Sequence, residues 1–102
     1  MEHLKIKDLK DSPENNSSYL GLYSFYDIKS KRYDTPFFCQ NDMFSQRHYA
    51  MVTDREGTML NKFKTEFNLH RLGWFDQESG LYHPDPKIII DGEKLKKPKK
   101  PE

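Results

Sequence analysis

The chain has 102 residues, with 34% hydrophobic, 32% charged and 14% aromatic residues. That is one domain's worth, with one modest core in which aromatic rings replace scarce aliphatics. Its net charge of +1 excludes a uniformly basic nucleic-acid binder. The lone Cys39 excludes an internal disulfide or a cysteine zinc cluster within one chain. No apolar run approaches the ~20 residues of a membrane helix, and the first seven residues lack a signal peptide's apolar stretch. The protein is therefore expected to stay where it is made.

The charge is unevenly spread. Residues 19–93 carry nine basic and eleven acidic residues, whereas residues 94–102 carry five Lys and one Glu. Residues 1–18 read as a flexible leader, because 11–18 are turn formers without a large apolar side chain. Residues 19–93 read as the single domain, and residues 94–102 as a disordered Lys/Pro-rich tail.

Residues 19–27 are dense in Tyr, Phe and Leu on both faces and predict a central strand. Residues 33–40 predict a second strand, at an edge or starting at Pro36, which lacks an N–H. Asn41-Asp42 suits a helix N-cap, and residues 43–54 predict a helix. Its buried stripe is Phe44, Ser45, His48, Tyr49 and Val52, with Gln46, Arg47 and Thr53 nearer the other side. Residues 58–64 fit a short helical turn or an irregular connection.

Residues 66–75 predict a third strand, with Phe67, Leu69, Arg71 and Gly73 alternating with Asn68, His70, Leu72 and Trp74. Residues 76–80 predict a hairpin turn, with Gly80 at the positive-φ position. The return strand starts at residues 81–83 but is interrupted by Pro84 and Pro86. Residues 87–90 form a last short β-prone run. The order β-β-α-β-β predicts an α+β domain: an antiparallel sheet of four to five strands covered on one face by one main helix.

No reaction centre is legible. His3, His48, His70 and His83 are scattered, and no HExxH motif occurs. The glycines form no phosphate-cradling loop. Asp27, Asp42, Asp76, Asp85 and Asp91 all fall at predicted turns or caps, where bonding to backbone amides explains them. We expect no enzyme, no metal site and no cofactor.

Binding has more support. Lys94, Lys96, Lys97, Lys99 and Lys100 are spaced by prolines that keep the segment extended. Such a segment either tracks a phosphate backbone or only solubilises the protein. Lys29, Lys31 and Arg32 form a cationic connection beside Tyr33. Arg47, Arg55, Lys62, Lys64 and Arg71 form a further basic surface if the helix and third strand are adjacent. Most aromatics are expected in the core, and Tyr26, Tyr33 and Trp74 are the candidates for base stacking.

Several residues recur in a familiar order and spacing: Leu22-Tyr23-Ser24-Phe25-Tyr26-Asp27, Pro36-Phe37-Phe38, Asn41-Asp42, Arg47, and Leu69-His70-Arg71-Leu72-Gly73-Trp74-Phe75-Asp76 with Gly80. Over about residues 20–92 the chain resembles the small nonstructural protein of gokushoviruses, the single-stranded DNA phages of the microvirus group. The resemblance implies a non-enzymatic, DNA-binding protein of the host cytoplasm, and the leading expectation is that it binds single-stranded DNA without sequence preference. It would act in the switch to single-strand synthesis and genome packaging. The alternative is a dimeric adaptor that recruits the replication initiator, a host factor or the procapsid. A homodimer is expected in either case, and phosphate contacts are expected from Lys29, Lys31, Arg32, Arg47, Arg71 and the lysines of residues 94–100.

Overall fold

The computed structural model describes residues 13 and 16–95. The expected α+β class holds. The strands are β1 (Tyr19–Asp27), β2 (Arg32–Tyr33), β3 (Phe37–Cys39), β4 (Phe67–Asp76) and β5 (Tyr82–Ile90). Two helices, α1 (Asp42–Thr53) and the single-turn α2 (Met59–Lys62), lie between β3 and β4. Pairing is antiparallel throughout, in the order β2-β1-β4-β5, with β3 sharing the β1 edge used by β2.

The expected second strand is two short ones. Pro36 and its neighbours break the ladder, so Tyr33 pairs with Tyr26 while Phe37 to Cys39 pair with Tyr23 to Gly21. The return strand, expected to be short or bent at the prolines and separate from the run at 87–90, is one continuous strand through both, β5. An edge strand tolerates missing N–H groups, and irregular register opposite residues 69–73 absorbs the distortion. Residues 16–18, expected in the leader, are tied to the sheet. The Gln77 N–H donates to Ser18 O at 2.8 Å, and the Tyr19 N–H donates to Asn16 O at 3.0 Å, so residues 16–18 belong to the domain.

The helix forms where expected. Asn41 caps it, its side chain accepting from the Phe44 N–H at 3.1 Å. Its rotation differs, however. Asp42, Ser45, Tyr49 and Thr53 are buried, whereas Phe44 is 39% exposed. The cause is Asp42, which is drawn inward by partners on the sheet. Thr53 can then face inward because its hydroxyl donates to Tyr49 O at 2.8 Å.

The core lies between α1 and one sheet face. Tyr23, Phe25, Tyr49 and Leu69 form its centre, flanked by Phe37, Val52, Leu60 and Ile90 among others. β4 carries a bulge. Leu22 faces Gly73 but Tyr23 faces Arg71, so Leu72 is an extra residue. The strict alternation expected along β4 is thereby shifted, and Trp74 comes onto the same face as Arg71, not the opposite one.

Candidate nucleic-acid interface

The register places charge at the two ends of the strands. One end holds the connection after β1, the start of β4 and the end of β5, since Asp27 pairs with Phe67 and Ile90 with Leu69. There the β1–β2 turn is tied by its own backbone. Asp27 Oδ1 accepts from the N–H groups of Lys29 at 3.0 Å and Ser30 at 3.1 Å, and the Lys31 N–H donates to Asp27 O at 2.8 Å. The Ser30 amide, more than any other contact, holds the Asp27 carboxyl below its usual pKa. Lys31 takes a left-handed conformation, φ 58°, and Lys29, Lys31 and Arg32 all project exposed.

Two single 3-10 turns join this end, Lys64–Glu66 and Gly92–Leu95. They pack so closely that a side chain on Gly92 would collide with the carbonyl oxygens of Phe67 and Lys64. This puts Lys64 and Lys94 at the end that holds the β1–β2 turn, with Lys62 two residues before Lys64; all three are exposed. The end thus gathers six cations (Lys29, Lys31, Arg32, Lys62, Lys64, Lys94) against Asp27, Asp34, Glu66, Asp91 and Glu93. Lys29 meets Glu66 at 3.3 Å, but with 74% of the Lys29 side chain exposed the pair is weak. Asp91 is turned to a backbone cap, accepting from the Glu93 N–H at 3.1 Å. Leu95 lies here too, so the Lys-rich segment is covalently rooted at this end.

The opposite end is acidic. In the β4–β5 turn Asp76 accepts from the Glu78 N–H at 2.9 Å and the Ser79 hydroxyl at 2.9 Å, with Gly80 at φ 77°. The Glu78 amide is the main reason the Asp76 carboxyl is held below its usual pKa. Asp76 and Glu78 there face no described cation in the turn.

The sheet face away from α1 is open among the described residues. Near the basic end it carries three rings. Tyr26 lies 4.7 Å from Tyr33 and is stacked on His70 at 5.0 Å, centroid to centroid. Tyr33 meets His70 edge-on, with its oxygen 3.0 Å from Nδ1. Tyr33 stays 52% exposed. Farther along, Phe38 and Phe75 approach to 6.0 Å, with Phe38 54% and Tyr82 43% exposed.

Two expected contacts are corrected. Arg71 is 6% exposed and cannot reach a phosphate. Its Nη1 donates to Asp42 Oδ2 at 2.6 Å, its Nη2 to Asp85 Oδ2 at 3.1 Å and its Nε to Asp85 O at 3.0 Å. Trp74 is 1% exposed and cannot stack on a base. It lies under the Arg71 guanidinium, 4.9 Å from ring centroid to carbon, and its indole N–H donates to Asp85 Oδ2 at 3.1 Å. Tyr23 completes this interior cluster, donating to Asp42 Oδ1 at 2.7 Å. Burial, then the bond to Asp42, pushes its hydroxyl pKa far up.

Arg47 is exposed on α1, 5.4 Å over the Phe44 ring. It lies on the helical layer, across the sheet from Tyr26 and Tyr33. Lys96, Lys97, Lys99 and Lys100 lie outside the described residues. His70 was not singled out by sequence. Only strand pairing brings it to Tyr26 and Tyr33, and no short-range pattern encodes that pairing. Among the described residues no three His, Cys, Asp or Glu side chains cluster as a metal site. No described helix is long and apolar enough to cross a membrane.

The molecule is thus a small α+β protein with one helix-covered sheet face, one open aromatic face and one basic end. Residues 20–95 match the Phage ORF5 protein family; the chain belongs to that family and is a bacteriophage protein. The match spans both helices and all of the sheet except Tyr19. No curated protein and no solved structure matches it.

Proposed function

We propose that this phage protein binds single-stranded DNA without sequence preference, through its basic end and Lys-rich segment. In a gokushovirus-type life cycle it would act in the host cytoplasm, as a nonstructural protein in the switch to single-strand synthesis and packaging. One observation carries this reading: Lys29, Lys31, Arg32, Lys62, Lys64, Lys94 and the root of the Lys-rich segment converge at one end of a domain whose overall charge is mildly acidic. Concentrating cations in one place is what phosphate binding needs, because each neutralised phosphate releases counterions.

The test is binding to single- and double-stranded oligonucleotides across a salt series. For single strands, log K should fall with log salt by about 0.7 per phosphate contact. Replacing Lys29, Lys31 and Arg32 by Gln should flatten that slope by about 2. Absence of binding at low salt, or a slope untouched by the triple change, would refute the reading.

A second reading is favoured by Phe38, Tyr82 and Ile88, which are 54%, 43% and 52% exposed. Phe38 and Tyr82 lie toward the far half of the open face and Ile88 opposite His70; this apolar exposure along the face suits a second copy of the chain, and the pair would then recruit the replication initiator or procapsid. Light scattering of the wild type and of Phe38→Glu decides it: a monomer at all concentrations removes it.

A further inference from the structure

We propose that Tyr33, held by Tyr26 and His70, is a stacking site for an unpaired base of single-stranded DNA. The proposal rests on the DNA-binding reading above and names the side chain that meets the bases. Three features support it. Tyr33 is half exposed yet fixed: Tyr26 lies at 4.7 Å, His70 at 5.4 Å, and its oxygen bonds His70 Nδ1 at 3.0 Å. A ring whose rotamer is already held loses little freedom when a base settles on it. It also follows Lys31 and Arg32 directly in the chain, so a strand whose phosphates meet those cations carries its bases past the ring.

The third feature is the proton arrangement. The Gly92 N–H donates to Asn68 Oδ1 at 2.8 Å, which fixes the amide so that Nδ2 turns to His70 Nε2 at 3.4 Å. An imidazole accepting at Nε2 carries its proton on Nδ1. The Nδ1–H therefore donates to the Tyr33 oxygen, and the Tyr33 hydroxyl proton is available to an outside acceptor, such as a phosphate or base carbonyl oxygen. Burial favours this neutral state of His70. The chain Gly92–Asn68–His70–Tyr33 thus links the root of the Lys-rich segment to the exposed ring.

A second copy of the chain is the competing occupant of an exposed ring. The adjacent cations favour a polyanion instead, since two identical basic ends repel.

The experiment compares an oligothymidine of about 20 nucleotides with an abasic strand of equal length, at fixed salt and across a salt series. Wild type should prefer the base-bearing strand by roughly 5- to 150-fold. Tyr33→Ala should lose most of that preference and keep the salt slope, while Tyr33→Phe, which retains the ring, should keep most of it. Equal wild-type affinity for the two strands overturns the stacking site and leaves the phosphate reading standing, as does a preference that survives Tyr33→Ala. Failure to bind either strand overturns both. A dimer that dissociates on Tyr33→Ala, with base preference unchanged, assigns the ring to a second copy and also overturns the proposal.

Discussion

Replacing Arg71 by Met keeps an unbranched apolar stem but removes the fork that joins α1 to the sheet. In the wild type the Arg71 and Asp42 side chains are each 8% exposed and 2.6 Å apart. Without the guanidinium the Asp42 carboxylate stays buried, with the Tyr23 hydroxyl at 2.7 Å and no cation. Breaking a buried pair from one side costs about 3–5 kcal/mol. A chain this size has about 5–15 kcal/mol in total, so the variant approaches the folding threshold. At about 4–8 °C per kcal/mol, the melting temperature should fall by roughly 12–40 °C. Pairing the change with Asp42→Asn removes the stranded charge while leaving Tyr23 an acceptor. The double variant should recover about 1–3 kcal/mol relative to additivity. Urea unfolding followed by circular dichroism gives both values. A single-variant loss below about 1 kcal/mol at unchanged urea dependence would refute the claim that this pair fastens the helix. On the proposed function, DNA affinity per folded molecule should be unaffected, because Arg71 does not reach the surface.

Two further outcomes are expected. Gly92→Ala should destabilise by about 1–3 kcal/mol, because its Cβ would meet backbone carbonyls that cannot rotate away; an unchanged melting temperature would show that the two turns separate easily. For His70, burial lowers the pKa below 6.5, with Asp91 opposing it more weakly. The unfolded chain therefore takes up the proton more readily than the fold does. The stability His70 contributes should be full above about pH 6.5 and be lost as pH falls through its lowered folded value. Between about pH 7.5 and about pH 5.5, His70→Phe should lose less stability than the wild type, and equal losses would count against the neutral assignment.

Local signals carried much of the fold. The aromatic run of β1, the Asn41 cap and the Asp76-to-Gly80 turn each depend on residues close together in the chain, and each is legible. The bulge at Leu72 is not, because an extra residue exists only relative to a partner strand. That single residue turned Trp74 inward beside Arg71. Asp42 and Asp85 lie 29 and 14 positions from Arg71, so a cation read as a phosphate contact became a buried tie. The same pull on Asp42 rotated α1 and left Phe44 outside. The basic end was hidden for a related reason. Its cations come from three separate stretches, and only the antiparallel register collects them.

The acidic turn at residues 76–80 acquires a meaning from its distance to that end. On the proposed function, a strand gripped by the basic end would be sheathed in a layer whose outer surface displays Asp76 and Glu78. Coating would then not erase the polymer's charge but move it outward. Neighbouring coated strands would repel one another instead of condensing, and the DNA would remain accessible for threading into a particle.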